Sequence, residues 1–319
     1  MKTSILIHPS ELSRKWIDRM ADGGVSTLGI HPEGGGSAIA SLGSLLQRVK
    51  SCEFCGLADY ALARGLRIEY EFHAWGYLVD RALFDTHPEY FRMNESGERT
   101  PSLNFCPSSA EAIGIAARGA AQLVGELYGS SDNYFFWSDD ARGGICHCPL
   151  CRDLSPADQQ LTVLNAMIRE MKKVNPKARL AYLAYYDTLE LPSKVTPEDG
   201  IFLEYAPIDK WHVREGRLTD EAIRGAEREI EVREDLIRYF GKDGSRVLEY
   251  WLDNSLFSKW KKPPVKFNGP CESVGDEIRE YRELGYEDIS TFGCFLGDDY
   301  EELYGEPDIG AFLEAIKNT

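Results

Sequence analysis

The chain has 319 residues, with 36 Lys+Arg against 52 Asp+Glu, a formal net charge of −16, and 43% hydrophobic residues. That is ample apolar mass for a core, while the acidic excess leaves no basic footprint for nucleic acid or an anionic membrane surface. No stretch nears the roughly 18 apolar residues of a membrane span.

The N-terminal run Ser4-Ile5-Leu6-Ile7-His8 reads as a first strand and not as a signal peptide, so a cytoplasmic location with reduced thiols is expected for the eight cysteines. Seven further strand-like runs follow at residues 25–31, 66–73, 133–138, 178–186, 201–206, 246–251 and 288–295. Amphipathic segments alternate with them at residues 10–22, 39–64, 109–128, 156–174, 219–241, 272–285 and 307–317. Only the fifth strand, before Leu189 to Pro192, lacks a following helix.

Start signals support the helices. Ser155-Pro156 and Thr219-Asp220-Glu221 have N-cap chemistry, and Gly24, Gly65, Gly241 and Gly285 stand where helices stop. The rhythm predicts an α/β protein, a single (β/α)8 TIM barrel over residues 1–319 with a long insertion after strand 3 at about 74–108. A doubly wound sheet is the alternative.

Active sites of such barrels lie at the C-terminal strand ends. There the sequence offers His31, then Glu71, His73 and Trp75, then Trp137-Ser138-Asp139-Asp140. Tyr185, Glu204 and the run Glu249-Tyr250-Trp251 with Asp253 follow. Carboxylates suit glycoside hydrolysis and flat rings suit sugar faces. The expected catalytic residues are therefore Asp139, Asp140, Glu204 and Glu249. The expected substrate-binding residues are His31, His73, Trp75, Trp137, Tyr185, Tyr250, Trp251 and Asp253. Gly34-Gly35-Gly36 lacks the Lys-Ser/Thr of a phosphate loop. Trp16 and Trp211 have no strand-end argument and are expected in packing.

Cys146, Cys148 and Cys151 crowd three soft ligands into six residues. A zinc site usually wants two separated pairs, and Cys52-x-x-Cys55 falls on a helix of the outer wall. A knot of reduced thiols is expected, with a metal site on Cys146, Cys148 and Cys151, and His147 as a fourth ligand, as the weaker alternative; no cofactor is expected.

Trp137-Ser138-Asp139-Asp140, the cysteine run and Asn165, with His87 to Phe91 and Asn104 to Ser108 upstream and Glu204 to Ile208 downstream, resemble the bacterial domain of unknown function 4838 family over about residues 66–255. The resemblance implies a TIM barrel of the glycoside hydrolase family 163 type, related to the family 20 hexosaminidases. It further implies an endo-β-N-acetylglucosaminidase-like activity on an oligosaccharide or glycan. In that chemistry Asp139 orients the 2-acetamido group and Asp140 protonates the leaving oxygen. Because the hexosaminidase pair is Asp-Glu, Glu204 or Glu249 is an alternative holder of one role. Two other readings stay open: a non-catalytic carbohydrate-binding barrel, and a metal-dependent sugar lyase or isomerase using His31, Glu71 and His73. The oligomeric state is not legible.

Overall fold

A computed structural model describes residues 2–318. Eight strands, β1 (Lys2–Ile7), β2 (Thr27–Ile30), β3 (Arg67–His73), β4 (Asn133–Trp137), β5 (Arg179–Ala184), β6 (Ile201–Tyr205), β7 (Arg246–Glu249) and β8 (Asp288–Phe292), form a closed parallel barrel in chain order. The helices are α1 (Arg14–Gly23), α2 (Ala38–Arg48), α3 (Cys52–Ala63), α4 (Trp75–Leu78), α5 (Ala110–Glu126) and α6 (Pro156–Val174). They continue as α7 (Ile208–Arg214), α8 (Asp220–Phe240), α9 (Asn254–Phe257), α10 (Val274–Leu284), α11 (Asp298–Tyr304) and α12 (Gly310–Lys317). The expected (β/α)8 class is the one observed.

Local chemistry explains where expectation and structure part. The helix expected over residues 39–64 is two helices, because Lys50 and Ser51 donate to Gln47 and Arg48 in tight i→i+3 turns that end α2. Four short helices, α4, α7, α9 and α11, had no periodic signal, since helices of four to seven residues are not stable by propensity. A local cap holds one of them and a tertiary partner another: Asp253 caps α9 through the Ser255 and Leu256 amides, and Glu229 of α8 accepts the Asp209 and Lys210 amides of α7 at 2.8 and 2.9 Å. The insertion after β3 folds back on itself through bridges at Phe91–Phe105 and Met93–Arg99, with both phenylalanines buried.

The chain divides into two compact units. One holds residues up to 31, 52–69 and from 203 onward. Side chains alternate across its strands, so register decides who meets inside. Glu204 is level with Arg246, and Arg246 with Asp288. The buried Arg246 guanidinium thereby reaches Glu69, Asp288 at 3.0 Å and Glu204 at 3.9 Å. Three residues along β7, an odd step, Glu249 points the opposite way, toward α7 and α10.

The second unit holds residues 32–51 and 70–202. In it Phe135 packs edge-on against Phe202, while Phe72 and Phe136, on the other face, stack at 5.3 Å. Ser109 and Ser155 cap α5 and α6, which fixes where the loops after β3 and β4 end.

Candidate active site

In the second unit, Trp137 is level with His73 in the β3–β4 pairing, and their rings meet edge-on at 5.1 Å. The His73 Nδ1 lies 2.5 Å from the Ser138 carbonyl oxygen. A carbonyl only accepts, so His73 Nδ1 carries a proton and donates it there. Two residues on, the neighbouring acids part company. Asp139 accepts from the Gly76 amide at 3.0 Å and from Arg81, while its own amide donates to Asn104 Oδ1 at 2.8 Å. Both of its carboxylate oxygens are therefore engaged.

Asp140 is half-buried and accepts from the Tyr185 hydroxyl at 3.0 Å. Its Oδ2 faces a slot left by Gly34: a Cβ there would lie 3.4 Å from that oxygen and 3.6 Å from His73 Nε2. Only the absence of a side chain keeps this space between acid and imidazole open. Next to it, a cleft is lined by Trp75, Asn104, Ser138, Asp139, Gln160 and Tyr185. Asp139 faces the cleft, and Asp140 lies outside its lining.

The family profile described as Domain of unknown function (DUF4838) matches residues 56–220, just over half of the chain and the whole of this cleft. The chain belongs to that family. No curated protein matches it. Among solved structures it is similar to Gan42B, a GH42 β-galactosidase, with TM-score 0.56 and 14% identity over 99% of this chain and 55% of that one. It is also similar to Cel5A of Thermotoga maritima, solved as a mutant form with cellobiose, with TM-score 0.54 and 12% identity over 99% and 96% of the two chains. A β-galactosidase from the haloarchaeon Halorubrum lacusprofundi gives 0.54 and 12% over 99% and 57%. The chain spans about half the length of these two β-galactosidases. At such identities the likeness is one of barrel fold.

The remaining expected site residues of this DUF4838 chain have other neighbours. In the first unit, Glu249 is fully buried and accepts from Lys210, from Trp211 Nε1 at 2.7 Å and from the Tyr281 hydroxyl at 2.5 Å. Glu204 is fully buried beside Arg246. Trp251 lies flush among Tyr281 and Phe312 and donates to Glu277 at 3.2 Å. Asp253 serves as the α9 cap, with burial raising its pKa against the pull of the Ser255 hydroxyl and the Leu256 amide. His31 and Tyr250 pack on Phe292, and His8 Nδ1 bonds the His31 carbonyl at 2.7 Å. Trp75, by contrast, lines the cleft with Asp139; it is buried and donates to the Phe136 carbonyl at 3.1 Å. Trp16 and Trp211 are buried, as packing residues should be.

Sequence reasoning missed Gly76, Arg81 and Asn104, the residues that hold Asp139. Nothing periodic marks a lone Arg in an irregular insertion, although Asn104 stood in a segment that resembled the family. It also missed Cys106. Among the described residues, the one group of candidate metal ligands in mutual reach is Cys106, Cys146, Cys148 and Cys151, all buried.

Proposed function

We propose that this chain is a glycoside hydrolase acting on a β-linked N-acetylhexosaminide, with Asp140 as the proton-transferring residue and Asp139 as a positioning residue. The observation that carries the reading is the division of labour after β4. Asp139 is pinned by Arg81 and Gly76, whereas Asp140 keeps an oxygen toward an open slot beside His73 and Trp137.

One proton-transferring carboxyl suffices when the substrate supplies its own nucleophile. In the first step the 2-acetamido oxygen bonds to the anomeric carbon, the bond from that carbon to the leaving oxygen breaks, and the Asp140 proton passes to the leaving oxygen. In the second step Asp140, now a carboxylate, takes a proton from water as water opens the cyclic intermediate. The Tyr185 hydroxyl, 3.0 Å away, stabilises that carboxylate and fixes its direction. Glu204 and Glu249, buried against cations, take structural parts in this scheme. The family resemblance supports the N-acetylated sugar.

The test compares Asp140→Asn with the parent on an alkyl and a nitrophenyl N-acetyl-β-glucosaminide. Loss of the acid should lower kcat by about 10²–10⁴ on the alkyl glycoside, whose leaving group needs the proton, and by less on the nitrophenyl one. Equal turnover by parent and variant on the alkyl glycoside removes Asp140 from the role. Binding of such sugars by the parent without product would instead favour a non-catalytic carbohydrate-binding barrel.

A further inference from the structure

Four thiols from two loops meet in the second unit. Cys106 comes from the insertion after β3, and Cys146, Cys148 and Cys151 come from the loop after β4. Their sulfurs all lie within 4.8 Å of one another. The Cys106 sulfur is 3.5 Å from that of Cys146, 3.8 Å from that of Cys148 and 3.9 Å from that of Cys151. A disulfide needs about 2.05 Å, so none of these contacts is one. A regular tetrahedron of sulfurs around zinc at about 2.3 Å has edges of about 3.8 Å. The three separations bracket that edge.

Hydrogen-bond donors and one cation surround the sulfurs. The Met93 amide points at the Cys146 sulfur from 3.3 Å, the Arg99 guanidinium lies 4.0 Å from it, and the Ser108 hydroxyl is 3.4 Å from the Cys148 sulfur. Four thiolates on one Zn²⁺ leave a net charge of −2, which such donors and the Arg99 charge offset. Gln159 holds the loop itself, accepting from the Cys146 amide and donating to the Cys146 and Cys151 carbonyls.

We propose that Cys106, Cys146, Cys148 and Cys151 bind one structural zinc ion that staples the insertion to the loop carrying Asp139. The donor set is closed, with four protein ligands and no position for water, which is the pattern of a structural and not a catalytic site. Its reach toward the acids is short. Asn104, two residues before Cys106, accepts from the Asp139 amide and donates to the carbonyl of Gly144, two residues before Cys146. Zinc thus fixes both ends of the segment that orients Asp139.

The full chain, purified under reducing conditions without chelator or added metal, should contain about one zinc per chain by elemental analysis. Cys106→Ser and Cys148→Ser should each lose it, whereas Cys52→Ser, on an exposed helix position, should keep it. Should either variant fail to fold, the parent protein decides: a thiol-reactive reagent should release one zinc as four thiols are modified, and the stripped chain should take up one zinc in competition with a chromophoric chelator. Zinc retained in folded Cys106→Ser, iron in place of zinc, or no uptake by the stripped parent overturns the assignment. No glycoside enters these measurements, so their failure and that of the hydrolase reading are distinguishable.

Discussion

Replacing Glu277 by Gln keeps the shape of a side chain on which four donors converge, removes its charge and turns one accepting oxygen into a donating amide. Glu277 accepts from Lys210 at 2.9 Å, Arg214 at 2.6 Å, Ser273 at 2.6 Å and Trp251 at 3.2 Å. Burial works to raise its pKa, yet Lys210, the Ser273 hydroxyl and Arg214 together outweigh it and hold the carboxyl at about 2, against 4.5 for an unperturbed Glu. At about 1.4 kcal/mol per pKa unit, that difference is worth about 3 kcal/mol, less some solvent screening at a side chain that is 12% exposed. The folded-state value lies below the unfolded one, so the stabilisation is complete above about pH 4.5 and disappears as pH falls toward 2. Denaturant unfolding should show Glu277→Gln less stable by about 2–3 kcal/mol at pH 7, and by under about 1 kcal/mol near pH 2.5. An equal loss at both pH values would mean that packing and not charge was removed, and would refute the reasoning.

Arg246→Met should lower stability by about 3–5 kcal/mol in the same assay, because Glu69, Glu204 and Asp288 would lose their shared buried cation; a loss under about 1 kcal/mol would contradict the pairing. Glu229 titrates in the opposite sense from Glu277: burial raises it to about 8, against the pull of the Asp209 and Lys210 amides, so stability present below about pH 4.5 is lost as pH rises through 8. Melting temperatures between pH 5 and 8.5 should therefore fall in the parent and stay flatter in Glu229→Gln, and parallel curves would remove Glu229 as the cause. At Gly76 a Cβ would lie 2.8 Å from Arg81 and 2.9 Å from Asp139, so Gly76→Ala should cost about 1–3 kcal/mol of stability and reduce hexosaminide turnover. Parent-like values in calorimetry and in the hydrolysis assay would show that the Arg81–Asp139 pair does not depend on that close approach.

Much of this fold is written locally. Alternation with period two along Arg67 to His73, N-cap chemistry at Ser155 and Thr219, and glycine stops at Gly24 and Gly285 each act within a few residues, so the eight strands and the long helices between them are legible from the chain. The acids after β4 could likewise be located, because a strand end is a local property. How each is held could not. Asp139 and Asp140 are chemically identical neighbours, and only the arrival of Arg81 and Gly76 at one and Tyr185 at the other separates them. Glu249, also expected at the site from the sequence, is turned by the strand's alternation toward Lys210 and Tyr281, a placement no local signal reports. The cysteines make the same point. Three of the four lie in one short run, but the fourth is 40 residues upstream of Cys146, across a helix and a strand. Spacing along the chain reports the helix and the strand; the meeting of Cys106 with Cys146 is a product of how they pack.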